Sequence, residues 1–342
     1  ARWIDVREPD EVHAAAIPGV EHEPLGGAAQ AVLERYPDRN EPILFSCRSG
    51  ARSMRMVEQM RELGYRDVLN VGGGINAWIA AGLPVERATR LTDEQRDRYS
   101  RHIAIPELGA NGQQQLLDAR VLLLGAGGLG SPAGLYLAAA GIGTLGIVDD
   151  DVVERSNLQR QVLHGEDRLG VSKAESAATT IANLNPDVNV IQHQLRMTAE
   201  NVAEILDEGW DVIVDGTDNL PTRYLLNEAA VPRGIPVVHG SIYRFEGQVT
   251  VFSPFDGPCY RCLYPDPPPP ELAPSCAEGG VLGVLPGVIG SMQAVETIKL
   301  VLGIGESLAG RLWMYDALSA ETQTITLQRN PDCPTCATAG GR

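Results

Sequence analysis

The spacing of apolar and polar positions divides the chain into two stretches with different rhythms. Over the first 85 or so residues short apolar runs alternate with amphipathic ones. Trp3–Val6, Ile43–Phe45 and Val68–Leu69 read as strands, and Ala51–Leu63 and Ile75–Ala81 as helices. Gly82-Leu83-Pro84 closes the last helix, and a polar join follows. Thr92-Asp93-Glu94-Gln95 then has the form of a capping box, a hydroxyl at the cap with a Gln three residues on, and predicts a new helix. The division expected is 1–85, a linker over 86–91, and a second domain over 92–342.

The second domain opens on a strong βαβ unit. Val121–Leu124 reads as a buried parallel strand, Gly125–Gly130 as the turn, Ser131–Ala140 as the helix and Leu145–Val148 as the next strand. Helices at Lys173–Leu184 and Thr222–Ala230 alternate with strands at Val212–Val214 and Val237–Val238. Later segments, Gly247–Phe252, Leu312–Tyr315 and Thr322–Leu327, alternate as half-exposed strands do. The class is therefore α/β, a doubly wound sheet with an added antiparallel portion. Asp266–Pro274 is rich in proline and predicts a stiff, extended loop.

Charge and composition narrow the partners. The 342 residues carry a net charge of -16, which argues against a nucleic acid or an anionic membrane surface. Residues 1–88 hold 13 acids and 10 bases, leaving 31 and 18 for the remainder, so the acidity belongs to the larger part. No uninterrupted apolar stretch is expected to span a bilayer: the best, Val281–Leu302, is broken by Pro286 and carries Glu296 and Lys299. No signal peptide is visible, and six cysteines in a chain of this size do not suggest a secreted disulfide scaffold; the expected address is cytoplasmic. Because the chain opens at once on a strand, further elements are expected before Ala1.

Gly125-Ala126-Gly127-Gly128-Leu129-Gly130 fits G-x-G-x-x-G between a strand and a helix. Its glycines let the backbone approach a phosphate, and the helix N-terminus presents free N–H groups. Asp149, at the end of the next strand, stands where a carboxylate can hold ribose hydroxyls. The motif alone fits a dinucleotide as well as ATP, and an NAD-dependent dehydrogenase is the rival reading. Arg160, Lys173 and Asp218 favour ATP, because a triphosphate needs fixed cations and a carboxylate-held magnesium ion.

With those residues in view, the chain from about Leu91 to Cys336 resembles the MoeB/ThiF family of ubiquitin-activating-like adenylyltransferases. The likeness rests on Gly125–Ser131, on Ser156-Asn157-Leu158-Gln159-Arg160-Gln161, on Asp215-Gly216-Thr217-Asp218-Asn219 and on Glu246–Phe252. It implies a Rossmann-like domain in which Gly125, Gly127, Gly128, Gly130 and Asp149 bind nucleotide and ribose. Asn157, Arg160 and Lys173 would hold the phosphates, and Asp218, beside Asn219, the Mg²⁺. Arg101 matches an arginine that family members extend to the partner subunit's ATP, so the resemblance also implies a homodimer. The implied substrate is a ubiquitin-like sulfur carrier ending in Gly-Gly, first in molybdopterin biosynthesis, with thiamine, cysteine or tRNA thiolation as alternatives.

Four of the cysteines form two C-x-x-C pairs, Cys259/Cys262 and Cys333/Cys336, which together can complete a tetrahedral zinc site. Redox dithiols would need a thioredoxin-like context that is absent. Cys276 follows the proline-rich loop and looks like the crossover-loop cysteine that handles an acyl or persulfide intermediate in some members of the family. Cys47 opens Cys47-Arg48-Ser49-Gly50-Ala51-Arg52 between a strand and a helix. Backbone N–H groups, the helix dipole, Arg48 and Arg52 would all favour its thiolate or a persulfide; a phosphate-binding loop would look related. Together with Asp5–Glu8 and Gly72–Trp78, this segment resembles rhodanese sulfurtransferases over residues 1–84. That implies a sulfur relay through Cys47, loaded by a donor such as a cysteine desulfurase; a mere docking role for this domain is the alternative.

Overall fold

The computed structural model describes all residues except 87–88, 255, 268–279 and 338–342, together with the side chain of residue 13. The chain divides into two compact units, Ala1–Leu91 and Thr92–Arg342. Glu86 pairs with Ala16 as an isolated bridge, which ties the start of the expected linker into the first unit.

In the first unit a parallel four-stranded sheet has the order β2-β1-β3-β4, with β1 Arg2–Asp5, β2 Glu21–His22, β3 Ile43–Ser46 and β4 Val68–Asn70. The pair β1/β3 registers Ile4 with Phe45, and both side chains are buried. The helices Leu25–Arg35 and Ala51–Glu62 contribute Ala28, Val32, Met56, Val57 and Met60 to the same core, alternate strand faces meeting helix stripes. Asp5 and Arg7 form a buried ion pair of 2.7 Å, and Arg7 also caps the carbonyls of Glu11 and Ala15.

The second unit is built on an eight-stranded sheet of order β12-β11-β10-β9-β8-β5-β6-β7. Its strands are β5 Arg120–Leu124, β6 Thr144–Val148, β7 Asn189–His193, β8 Val212–Asp215, β9 Val237–Tyr243, β10 Glu246–Phe252, β11 Arg311–Asp316 and β12 Glu321–Thr326. The strands β7, β6, β5, β8 and β9 run parallel, and β9 through β12 antiparallel. Val121–Leu124 is buried on both faces, as a parallel strand covered on two sides requires. The Thr92 capping box forms as expected, Thr92 Oγ1 accepting from Gln95 N–H and Gln95 Oε1 from Thr92 N–H.

Two expectations change. β10 is not half-exposed: Val249, Thr250, Val251 and Phe252 are buried because β9 and β11 flank it and the helix Leu285–Leu302 covers one face. Pro286 does not interrupt that helix either. It sits in the first turn, where its missing N–H costs nothing, and the 18-residue helix is long and apolar enough by length and composition to cross a membrane. It packs instead as a core helix: Leu285, Ile289 and Ala294 are buried, Gln293 donates to the Asp215 and Val238 carbonyls, and Glu296 accepts from Leu308 N–H.

Candidate active site

A cavity of about 640 Å³ lies at the C-terminal ends of β5, β6 and β8, where the strand order reverses on either side of β5. Gly125, Gly127, Gly128, Asp149, Arg160, Lys173, Asp218 and Asn219 all line it. The glycine loop is held from below. Gly125 adopts φ +93°, and a methyl on Gly130 would lie 1.9 Å from the Gly125 carbonyl oxygen. Gly130 therefore supports the loop from beneath and is not among the lining residues. Asp149 accepts from Ala126 N–H (2.8 Å) and Asp151 N–H (2.9 Å), tying the loop to β6. Burial pushes its carboxyl up, while the Lys173 ammonium pulls the other way.

Lys173 is buried, and its ammonium pairs with the exposed Asp151 at 2.7 Å. Arg160 donates to the Ser156 carbonyl from the rim. Asp218 is exposed at the opening, and the Asn219 side chain accepts from Thr222 N–H as the N-cap of the helix Leu220–Arg233. Asn157, expected among the phosphate ligands, does not line the cavity. Its Oδ1 accepts from Glu154 N–H and so shapes the turn that carries Arg160. Arg101 is exposed on the short helix Ser100–Ile103 and lies outside the cavity of its own chain.

Behind the Asp218 loop runs a buried network that sequence reading missed. Asp215 Oδ2 accepts from His239 Nδ1 at 2.7 Å, and Asp215 Oδ1 accepts from the Thr217 hydroxyl and N–H. Burial disfavours the Asp215 carboxylate, but His239, Arg223 and Thr217 more than offset it and hold it below its usual range. Burial likewise pushes His239 below its usual value, while the hydrogen bond to Asp215 pulls the other way. Arg223 donates to the Thr217 carbonyl and lines the cavity. No local pattern announces this set, because its members come from β8, β9 and a helix.

A second, smaller cavity of about 330 Å³ opens over β10, β11 and β12, lined by Gln248, Met314, Tyr315 and Thr322 among others. Ser241 and Tyr243 line both cavities, which therefore adjoin at the end of β9.

In the first unit, Cys47 is 1% exposed at the base of its loop. Its sulfur accepts from Gly50 N–H at 3.1 Å and lies 3.3 Å from the Ser53 hydroxyl. Burial works against a thiolate, but the Ser53 hydroxyl and the N–H groups of Ser53, Ser49 and Gly50 outweigh it and hold the thiol below its ordinary value. Gly74 packs so closely that a methyl there would stand 2.0 Å from the Cys47 carbonyl oxygen. Arg52 forms a two-pronged pair with Glu11 at 2.6 and 2.7 Å and also interacts electrostatically with Cys47, while the Ser53, Ser49 and Gly50 hydrogen bonds are the main groups that lower the thiol.

Cys259, Cys262, Cys333 and Cys336 place their sulfurs within 4.8 Å of one another. The pairs Cys259/Cys333, Cys262/Cys336 and Cys259/Cys262 stand at 3.6, 3.4 and 3.9 Å. A tetrahedral zinc with ordinary Zn–S bonds requires sulfurs about 3.8 Å apart, so the donor set fits that ion. Asn330 N–H donates to Cys262, and Asn227 Nδ2 to Cys259 at 3.7 Å, second contacts suited to stabilising thiolates. Cys276 lies outside the described residues.

Residues 99–335 match the ThiF family model, and residues 1–81 match the rhodanese-like domain model. The chain is 56% identical over 250 residues to the SAMP-activating enzyme E1 of Haloferax volcanii, covering 73% of this chain and 92% of that protein. It is 52% identical to a sulfur carrier protein adenylyltransferase of Thermus thermophilus, covering 72% and 93%. Against the probable adenylyltransferase/sulfurtransferase MoeZ of Mycobacterium tuberculosis it is 55% identical over 73% of this chain but only 64% of that one. Among solved structures, E. coli MccB with ATP superposes with a TM-score of 0.62 at 21% identity, over 77% of this chain and 80% of that one, a likeness of fold. The chain thus belongs to the ThiF family and carries a rhodanese-like domain ahead of its ThiF portion.

Proposed function

We propose that this chain is an enzyme that adenylates the C-terminal carboxylate of a ubiquitin-like sulfur carrier ending in Gly-Gly, and then delivers sulfur to it from a persulfide on Cys47. The observation that carries the reading is that the nucleotide-sized cavity and the cavity over β10–β12 adjoin, sharing Ser241 and Tyr243 as lining residues. A polypeptide tail lying over β10–β12 would end beside Arg160, Lys173 and Asp218.

The carrier carboxylate would attack the α-phosphorus of ATP, forming an acyl-adenylate as the bond to pyrophosphate breaks. Gly127 and Gly128 N–H groups, Arg160 and Lys173 would bind the phosphates and spread the leaving charge, with Asp149 on the ribose. Lys173 needs only to turn from Asp151. Asp218 would hold Mg²⁺, which when bound neutralises phosphate charge. The terminal sulfur of the Cys47 persulfide would then attack the acyl carbon and release AMP. A thiolate at Cys276 would attack the Cys47 sulfur of the resulting acyl disulfide. That frees the thiocarboxylate and leaves a Cys47–Cys276 disulfide for a thiol reductant to reopen. A cysteine desulfurase is the kind of donor that would reload Cys47.

Structural zinc in the four-cysteine cluster completes the cofactor set. Exposed Val284 at the N-cap of the helix Leu285–Leu302 and exposed Val288 and Val295 on it, with exposed Tyr136 on the helix that packs against it, support a homodimer in which Arg101 serves the partner's nucleotide. We assign the thiocarboxylate first to molybdopterin assembly. The test is ATP–pyrophosphate exchange with a panel of purified carriers. Exchange should require magnesium and a Gly-Gly terminus, and Asp218→Ala should abolish it at unchanged melting temperature. Tight NAD binding with no exchange for any carrier would replace this reading by the dehydrogenase.

A further inference from the structure

The Ser53 hydroxyl carries one proton, yet it faces three acceptors. Its oxygen lies 2.6 Å from Asn70 Oδ1, 3.2 Å from the Gly50 carbonyl and 3.3 Å from Cys47 Sγ. The Gly50 carbonyl already accepts from Met54 N–H, so the competition is between Asn70 and the sulfur. While Cys47 is a thiol both are satisfied: S–H donates to Ser53, and Ser53 donates to Asn70. Once the sulfur is an anion, the hydroxyl must turn toward it. Two oxygens would then face each other at 2.6 Å with no proton between them. A half-turn of the Asn70 amide removes the conflict, because it presents Nδ2–H to Ser53 without changing the volume occupied.

Resting on the reading of Cys47 as the sulfur carrier, we propose that Ser53 is the proton donor that stabilises the Cys47 sulfur anion and that Asn70 is the positioning residue which, by turning its amide, releases the Ser53 proton for it. Ser53 opens toward the sulfur from the first turn of the helix Ala51–Glu62, and Asn70 ends β4, so strand and helix bring the three groups together. Ser53 and Cys47 are both buried, so water offers no easy substitute between them, whereas Asn70 is half-buried at the end of β4.

The proposal orders four proteins. Ser53→Ala removes the donor and should lower the Cys47 thiolate fraction at neutral pH about tenfold, roughly one hydrogen bond to a charged group. Asn70→Asp can only accept. It locks the Ser53 proton away from the sulfur and adds a negative charge, and should lower the fraction further still. Asn70→Ala frees the hydroxyl and should stay within about twofold of the parent. The measurement is the pH dependence of Cys47 carbamidomethylation in the full chain, read by peptide mass spectrometry. Its midpoint does not depend on the absolute rate, and a merely space-filling role for Asn70 would be lost in Asn70→Ala and kept in the isosteric Asn70→Asp. Midpoints rising in the order parent, Ser53→Ala, Asn70→Asp, with Asn70→Ala beside the parent, are expected. Ser53→Ala titrating as the parent, or Asn70→Ala shifting as far as Asn70→Asp, would overturn the proposal. Should the order hold while thiosulfate cannot load Cys47, the proton switch stands and the sulfurtransferase reading falls.

Discussion

Gly130→Ala is the sharpest structural perturbation of the nucleotide site. The added methyl would lie 1.9 Å from the Gly125 carbonyl oxygen and 2.9 Å from its carbon. That oxygen must retreat by more than 1 Å to reach even the 3.0 Å that real methyl groups tolerate. It has little room. Gly125 N–H is bonded to the Val148 carbonyl at 2.8 Å, and its own Cβ direction meets the Gly216 carbonyl at 3.3 Å. No rotamer change relieves a clash between backbone atoms, so the loop itself must move, into the cavity that Gly127 and Gly128 line. Overpacking of this kind costs about 3 kcal/mol, which lowers the melting temperature of a unit this size by roughly 6–12 °C. The two units need not melt together, so the transition to follow is the one that ATP raises. Gly287→Ala, in the same unit, is the control: its methyl meets nothing within 4 Å and should leave that transition unmoved or slightly raised. Should Gly130→Ala melt within a degree of the parent and bind ATP equally well, the account of the loop is wrong.

Three further outcomes follow from the geometry. Protein prepared without chelators should contain one zinc per chain, and Cys333→Ser should release it and lower thermal stability, because structural zinc contributes folding energy directly; a metal-free parent would contradict this. Arg52 holds Glu11 down to about 2 from an ordinary 4.5, so this pair stabilises the first unit above pH 4.5 and that contribution is lost as pH falls from 4.5 toward 2. With both side chains partly exposed the effect is about 0.5–1 kcal/mol; Glu11→Gln should therefore melt earlier at pH 6 and converge with the parent near pH 2, and equal curves at pH 6 would refute it. Loading ATP should draw Lys173 from Asp151, so Asp151→Ala should leave ATP affinity unchanged or raised, whereas Lys173→Ala should weaken it at least tenfold, about the worth of one charged hydrogen bond.

Much of this was legible in the sequence where the signal is local. Val121–Leu124 is a run of apolar residues that only a doubly covered strand can bury, and the C-x-x-C pairs announce their own ligand geometry. The helix Leu25–Arg35 escaped because its first turn holds Gly26-Gly27, poor helix formers whose cost the burial of Ala28 and Val32 offsets. β7 escaped because its residues, Asn189 to His193, are only half-buried at the sheet edge and show no apolar alternation. The Asp215–His239–Arg223 network and the Ser53–Asn70 contact could not be read, since each joins residues 8 to 24 positions apart through tertiary packing alone. Asn157 shows the opposite limit: a motif position named the right turn, but its side chain builds the turn instead of lining the cavity.

The central claim is that one chain couples adenylation to sulfur transfer through Cys47. The most direct measurement supplies ATP, magnesium, a Gly-Gly carrier and thiosulfate to the parent and to Cys47→Ala, and follows the intact mass of the carrier alongside pyrophosphate exchange. The account predicts that the parent replaces one carrier oxygen by sulfur, while Cys47→Ala keeps exchange and makes no thiocarboxylate. Thiocarboxylate formed by Cys47→Ala at the parent's rate, with no other sulfurtransferase present, would contradict it and leave the first unit as a docking module.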